Sequence, residues 1–209
     1  MGVLKKAVPY SPLVITLLHY FYKPGNIHIF TGNGKGKTTA AFGIALRAAL
    51  SGYKSIVIQF LKGADYTGEI AAAEDIPSLE IKQFGRTCPF SELKKRGLHT
   101  CENCRDCFIY DEEDNKYIKE AYAFAIETVS SGKYDLVILD EINIAASIGS
   151  ITSKDIIKLI LCCHKDTELI LTGRNAPTDI LSFADSITSM VEIKHPLNDG
   201  IPSRYGIEY

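Results

Sequence analysis

A chain of 209 residues, 46% hydrophobic and 23% charged, suits one α/β domain with a sizeable core, and it holds no repeat and no low-complexity tract. A formal net charge of −2 gives no general reason to expect a nucleic-acid partner. The apolar run from Leu13 to Tyr22 is ten residues long, too short to cross a bilayer as a helix, so no membrane partner is expected. Pro9 and Pro12 interrupt that stretch and no small-residue cleavage site follows, which argues against a signal peptide. Residues 1–25 therefore read as a docking segment or as the product of a start codon placed too early.

In chain order, Ile27 to Thr31 is a short β-rich strand. It meets Gly32-Asn33-Gly34-Lys35-Gly36-Lys37-Thr38-Thr39, and that loop opens into a helix ending near Gly52, a plausible residue to follow a helix C-terminus. Strand, glycine-rich loop and helix are the context of a phosphate-binding loop. Its N–H groups and the positive helix end make an anion cradle. Lys37 supplies a point charge, and Thr38 a hydroxyl for Mg²⁺. The usual pattern has a glycine where this chain has Thr31.

Ser55 to Phe60 reads as a buried strand, Gly68 to Glu74 as a short helix and Leu79 to Phe84 as a half-buried strand. From Gly85 to Asp114 periodicity stops, and a loop of that length inside a compact domain is usually functional or disordered. A helical pattern resumes from Asn115 to Ser131. Asp135 to Glu141 is an apolar strand ending in two carboxylates. Ser153 to Cys163 is a helix capped by Thr152 or Ser153, Glu168 to Thr172 a strand, and Thr178 caps a short helix to Ala184. Met190 to Ile193 is the expected last strand. Alternating strands and helices predict an α/β fold: a mostly parallel sheet covered on both faces, over residues 26–209. Ligands of such sheets bind beyond the strand carboxyl ends, where the phosphate loop, Asp140-Glu141 and Gly173-Arg174 all fall. Asp140 occupies the position of the carboxylate that holds Mg²⁺ on a rigid strand end, and Glu141 is a candidate general base.

Five ordered blocks then resemble the P-loop corrinoid adenosyltransferases. They are Thr31 to Gly43, Gln59 to Gly63, Leu139 to Asn143, Thr172 to Pro177, and Lys194-His195-Pro196 through Gly206 to Tyr209. The resemblance implies a RecA-like fold and transfer of the 5′-deoxyadenosyl group of ATP to Co(I) of a reduced corrinoid, with release of triphosphate. It implies ATP held reversed in the loop, with C5′ exposed to the corrinoid, and it makes the Thr31 departure a family feature. Gly32, Asn33, Gly34, Lys35, Gly36, Lys37, Thr38 and Thr39 would bind ATP. Mg²⁺ would sit on Thr38 and Asp140, with Glu69 near the metal or nucleotide. Lys37, Asp140 and Glu141 are the catalytic candidates, and Arg47 and Arg174 are candidates for phosphate or ribose contacts. Aromatic residues after the third strand would press on the corrinoid, and Phe90 is the candidate. A flavoprotein reductant and a homodimer are further expectations, and an ATP-using enzyme belongs in the cytoplasm.

Cys88, Cys101, Cys104 and Cys107 are separated by twelve, two and two residues. Two successive C-x-x-C spacings in a loop fit a metal site, either Zn²⁺ or a [4Fe–4S] cluster. Cys162 and Cys163, on an apolar helix, read as core. Two other functions compete: a P-loop kinase or ATPase, suggested by Glu141 beside Asp140, and a nucleotide-switched sensor built on the cysteine loop.

Overall fold

The computed structural model describes residues 25–63, 67–96, 98, 110–201, 204, 206 and 207. Among these residues six strands form one sheet, and every pairing between neighbouring strands is parallel. They are β1 (Ile27–Thr31), β2 (Ser55–Phe60), β3 (Leu79–Phe84), β4 (Leu136–Asp140), β5 (Glu168–Thr172) and β6 (Ser186–Ser189), in the spatial order β3-β2-β4-β5-β1-β6. The helices are α1 (Lys37–Leu50), α2 (Gly68–Glu74), α3 (Ser91–Lys95), α4 (Asp114–Ser130), α5 (Ile142–Ser147), α6 (Ser153–Leu161) and α7 (Thr178–Leu181), followed by a 3₁₀ turn at Pro196–Asp199.

The apolar strands read as continuous because both faces are covered. In β4, Val137 and Leu139 join one core with Ile118, Ala121, Ala125 and Val129 of α4 and with Ile156 and Leu159 of α6. Leu136 and Ile138 face the opposite way, onto Ala41, Phe42, Ala45 and Ala49 of α1. Small residues on α1 let that helix lie close to the sheet, and its phosphate-loop end therefore meets the carboxyl edge. Each Ile or Leu buried this completely stabilises the fold by about 1.5–3 kcal/mol.

Two local expectations are corrected. The last strand is Ser186–Ser189, not Met190 to Ile193. Pairing from His28↔Ser186 to Thr31↔Ser189 uses this more polar segment as an edge, and Val191 and Ile193 are left 74% and 96% exposed. The stretch from Gly85 to Asp114 is not wholly irregular, since α3 forms a short helix within it. The α6 cap is Thr152, whose side chain accepts from the Asp155 N–H while Asp155 accepts from the Thr152 N–H, a reciprocal capping box.

Candidate active site

The carboxyl edge of the sheet is where the backbone is most constrained. Among the described residues, three non-glycine residues have positive φ: Leu61 (61°), Glu141 (65°) and Asn175 (54°). They follow β2, β4 and β5 in turn. Left-handed backbone at residues with a Cβ is costly, and it clusters at ligand sites because the surroundings enforce it.

The phosphate loop fills the gap between β1 and α1. Thr31 stays within β1, paired to Ser189, so no glycine is needed there. The sharp turn falls on Gly32, at φ 93°, where an added Cβ would lie 2.4 Å from the Met190 carbonyl oxygen. The Gly34 N–H donates to that same oxygen at 2.8 Å. Lys37 is buried, and its ammonium donates to the Gly32 and Gly34 carbonyls at 2.7 and 2.6 Å. Burial lowers the Lys37 pKa; Arg174 pushes the same way, while Glu141 and Asp140 oppose it. A cleft of about 420 Å³ opens beside the loop, between Thr31–Asn33, Asn175–Ala176 and Ser189–Glu192.

Asp140 ends β4 with no exposed surface. Its Oδ1 accepts from the Thr38 hydroxyl at 2.8 Å and the Thr172 hydroxyl at 2.7 Å. Its Oδ2 accepts from Gln59 Nε2 at 3.1 Å and the Lys62 ammonium at 2.8 Å. Gln59 is held in turn by Gln83 Nε2 at 2.9 Å. Burial alone would raise the Asp140 pKa. The Lys62 charge and the hydrogen bonds from Lys62, Thr172 and Thr38 overturn that and hold the carboxyl below its usual range. The donor set fits Mg²⁺: Thr38 Oγ1 and Asp140 Oδ1 stand 2.8 Å apart. Neighbouring ligands of an octahedron at about 2.1 Å stand about 3 Å apart.

Glu141, the next residue, is in the opposite condition. Its N–H donates to Thr172 Oγ1 at 3.1 Å, but its buried Oε2 has no hydrogen-bond partner among the described residues. Burial and then the Asp140 charge raise its pKa, against Lys62, Lys37 and Arg174. Asn143 shares the situation: Nδ2 donates to the Gly173 carbonyl at 3.3 Å, and the buried Oδ1 has no partner among the described residues. Half-buried Tyr110 belongs to this neighbourhood. Burial and the Glu141 charge raise its pKa, and Lys62, Asp114 and Arg174 also act on it. The segment that follows it is tied to β3 by Arg86, which forks onto Asp114 at 3.1 and 3.0 Å and also pairs with Asp111.

The parallel α/β sheet with this glycine-rich loop at its carboxyl edge is consistent with a P-loop NTPase-like fold, and the comparisons name the family of the chain. The family model "ATP:corrinoid adenosyltransferase BtuR/CobO/CobP" matches residues 23–209. The chain belongs to that family. It is similar to a corrinoid adenosyltransferase of Sinorhizobium sp, at 35% identity over 187 residues, covering 88% of this chain and 80% of the relative. It is also 29% identical to the corrinoid adenosyltransferase of Escherichia coli K12 and 30% identical to corrinoid adenosyltransferase CobA of Salmonella typhimurium, covering 88% of this chain and 86% of each relative.

For this adenosyltransferase family member, the structure gathers some of the residues read from the sequence and separates others. Gly32 to Thr38, Asp140, Glu141 and Arg174 share the carboxyl edge, with Thr39 exposed in the first turn of α1. Glu69, in the first turn of α2, acts electrostatically on Lys62. Arg47 stands ten residues beyond Lys37 on α1, about 15 Å along the axis, exposed and apart from the loop. Phe90 is 37% exposed. Cys88 is buried, whereas Cys101, Cys104 and Cys107 lie outside the described residues. Among the described residues no group of three His, Cys, Asp or Glu stands ready for a metal. Sequence reasoning assigned no role to Lys62, Gln59, Thr172 or Tyr110. The first three lie inside the blocks that carry the family resemblance, and that was the available signal.

Proposed function

We propose that this chain binds ATP at the carboxyl edge of the sheet and presents C5′ to the Co(I) of a reduced corrinoid, releasing inorganic triphosphate. The observation that carries the reading is the convergence of the phosphate loop, Lys37 and the Thr38–Asp140 pair in a chain that matches the family along residues 23–209. The cobalt lone pair forms the Co–C5′ bond as the C5′–O5′ bond breaks. Its electrons leave on the triphosphate, and cobalt rises from Co(I) to Co(III). Because Co(I) brings its own electron pair, no general base is required. The protein's work is to orient C5′ for in-line attack and to hold the leaving anion.

Backbone N–H groups of residues 32–38 other than that of Gly34, which is held by the Met190 carbonyl, receive the triphosphate with Lys35 and Lys37. To do so the Lys37 ammonium turns from the Gly32 and Gly34 carbonyls toward the anion. Thr38 and Asp140 would hold Mg²⁺, which when bound supplies charge screening for the leaving group. The Oε2 of Glu141, without a partner among the described residues, is an acceptor suited to a ribose hydroxyl, and Arg174 adds a positive charge at the same edge. Tyr110, on which Glu141 and Arg174 act, joins Phe90 as a candidate aromatic to face the corrinoid. Cys88, Cys101, Cys104 and Cys107 would bind one zinc ion or iron–sulfur cluster that orders the corrinoid side of the site. A flavoprotein reductant, a homodimer and a cytoplasmic setting complete the proposal; among the described residues no helix is long and apolar enough to cross a membrane.

Anaerobic incubation with MgATP and chemically reduced corrinoid tests this. Adenosylated corrinoid and an equal amount of inorganic triphosphate are expected. Orthophosphate or a phosphorylated acceptor, with no cobalt–carbon product, would sink the reading in favour of a kinase or ATPase.

A further inference from the structure

Asp140 is the most completely satisfied side chain at the edge. An ionised carboxylate offers about four lone-pair sites, and four donors are already on it. Three of them, from Thr38, Thr172 and Gln59, are neutral. A buried carboxylate also requires a countercharge. The phosphate-loop lysine does not provide that contact, because Lys37 is turned onto the Gly32 and Gly34 carbonyls. Lys62 does, at 2.8 Å.

The two partners of this ion pair differ in freedom. The Asp140 side chain is wholly inaccessible, whereas that of Lys62 is 34% exposed. The Lys62 backbone is fixed: Leu61 is left-handed, Lys62 bridges to Phe84, and a Cβ at Gly63 would fall 2.0 Å from the Gly85 carbonyl oxygen. The long, flexible stem is therefore the part that can move. Glu69 and Glu141 also act electrostatically on this ammonium. A divalent cation reaching Asp140 would meet the Lys62 ammonium at contact distance, and like charges that close repel strongly.

We propose that Lys62 is the resident counter-cation of Asp140, displaced when a divalent metal enters with the nucleotide and released toward the triphosphate. The inference rests on the metal role given to Asp140 above. It makes metal binding conditional on an anion that receives the displaced lysine. The protein without nucleotide then binds divalent metal poorly, and the metal arrives as its ATP complex. Lys62 is thus a positioning residue in the resting protein and a phosphate contact afterwards.

The test uses the full chain without nucleotide and Mn²⁺ as the probe, read by the paramagnetic signal of free Mn²⁺ and by thermal melting. Wild type, Lys62→Met and Lys62→Gln are compared, the last retaining a donor toward Asp140 Oδ2. Both variants should bind Mn²⁺ at least about tenfold more tightly than wild type, and Mn²⁺ should raise their melting temperatures more than it raises that of wild type. Adding Asp140→Asn to Lys62→Met should abolish the gain. Equal Mn²⁺ affinity in wild type and a folded Lys62 variant overturns the proposal. So does a wild-type protein that binds Mn²⁺ equally well with and without ATP, a result needing no variant. Failure of adenosyl transfer would strike the proposed function instead and leave the Mn²⁺ comparison standing.

Discussion

The end of β4 and the start of α5 place two carboxylates side by side and treat them in opposite ways. Asp140 is buried among four donors, and its pKa is held down. Glu141 is turned by a left-handed backbone, keeps one buried oxygen without a partner among the described residues, and has its pKa pushed up. The difference comes from what the neighbouring strands offer. β2 and β5 send Gln59 and Thr172 toward the strand end, and α1 adds Thr38; nothing comparable reaches Glu141 Oε2 among the described residues. Asp140 is thus held by donors of the protein, whereas one oxygen of Glu141 is left without a donor among the described residues. In the proposed reaction, Asp140 therefore belongs with the metal and leaving group, and Glu141 with a donor on the nucleotide.

The largest expected effect lies at the charge between them. Both carboxylates act on Lys37. Lys37→Ala should lower the transfer rate about 100- to 1,000-fold, as losing one donor aimed at a developing anion typically does. Single-turnover kinetics at saturating ATP would check this, and a loss confined to ATP affinity would break the assignment.

Asp140→Asn should destabilise the nucleotide-free protein by about 3 kcal/mol, because it leaves the Lys62 charge unmatched next to a buried amide. The sign with pH is fixed. A depressed carboxyl pKa contributes stability that is present above the ordinary carboxylate value and is lost as pH falls through the depressed one. Chemical denaturation from neutral to acid pH should show the mutant's deficit shrinking on the acid side. A constant deficit would mean that the four donors, and not the charge, hold the site.

Tyr110→Ala should raise the KM for corrinoid about tenfold and leave that for ATP nearly unchanged, with Phe90→Ala doing less. Equal effects on both substrates would place Tyr110 with the Glu141 network and not with the corrinoid.

The smallest effect has the opposite sign. Glu141→Gln should stabilise the nucleotide-free protein by about 1 kcal/mol at neutral pH, by removing a buried charge that lacks a full set of partners. A raised carboxyl pKa gives stability that is complete below the ordinary value and is lost as pH rises through the raised one. The mutant's advantage should therefore vanish in acid. An advantage that persisted there would point to a hydrogen bond gained by the amide and not to removal of a charge.

The comparison also explains what could be read from the sequence. The phosphate loop and β4 were legible because backbone conformation and strand burial impose local rules: glycine where φ is positive, an apolar run where both faces are covered. Asp140 followed from its place at the end of such a run. Its partners did not, because Lys62 and Thr172 reach it across 78 and 32 residues and carry no periodic signal. Tyr110 was hidden at the far end of the cysteine-containing stretch, next to a segment that Arg86 ties down through Asp114, a pairing across 28 residues. The last strand was misplaced because an edge strand need not be apolar. Ser186–Ser189 satisfies β1 through its backbone, and the more apolar Val191 and Ile193 face outward.

The central claim is that this edge presents C5′ of ATP for attack, and the fate of the bridging oxygen tests it most directly. ATP labelled with ¹⁸O at the 5′ bridging position is turned over anaerobically with reduced corrinoid, and the phosphate products are analysed by mass spectrometry. Cleavage at C5′–O5′ leaves the label in intact inorganic triphosphate, one labelled oxygen for each adenosylated corrinoid. Label retained on the adenosine side, with orthophosphate or pyrophosphate as the released anion, would mean that a phosphorus–oxygen bond breaks here and would contradict the account.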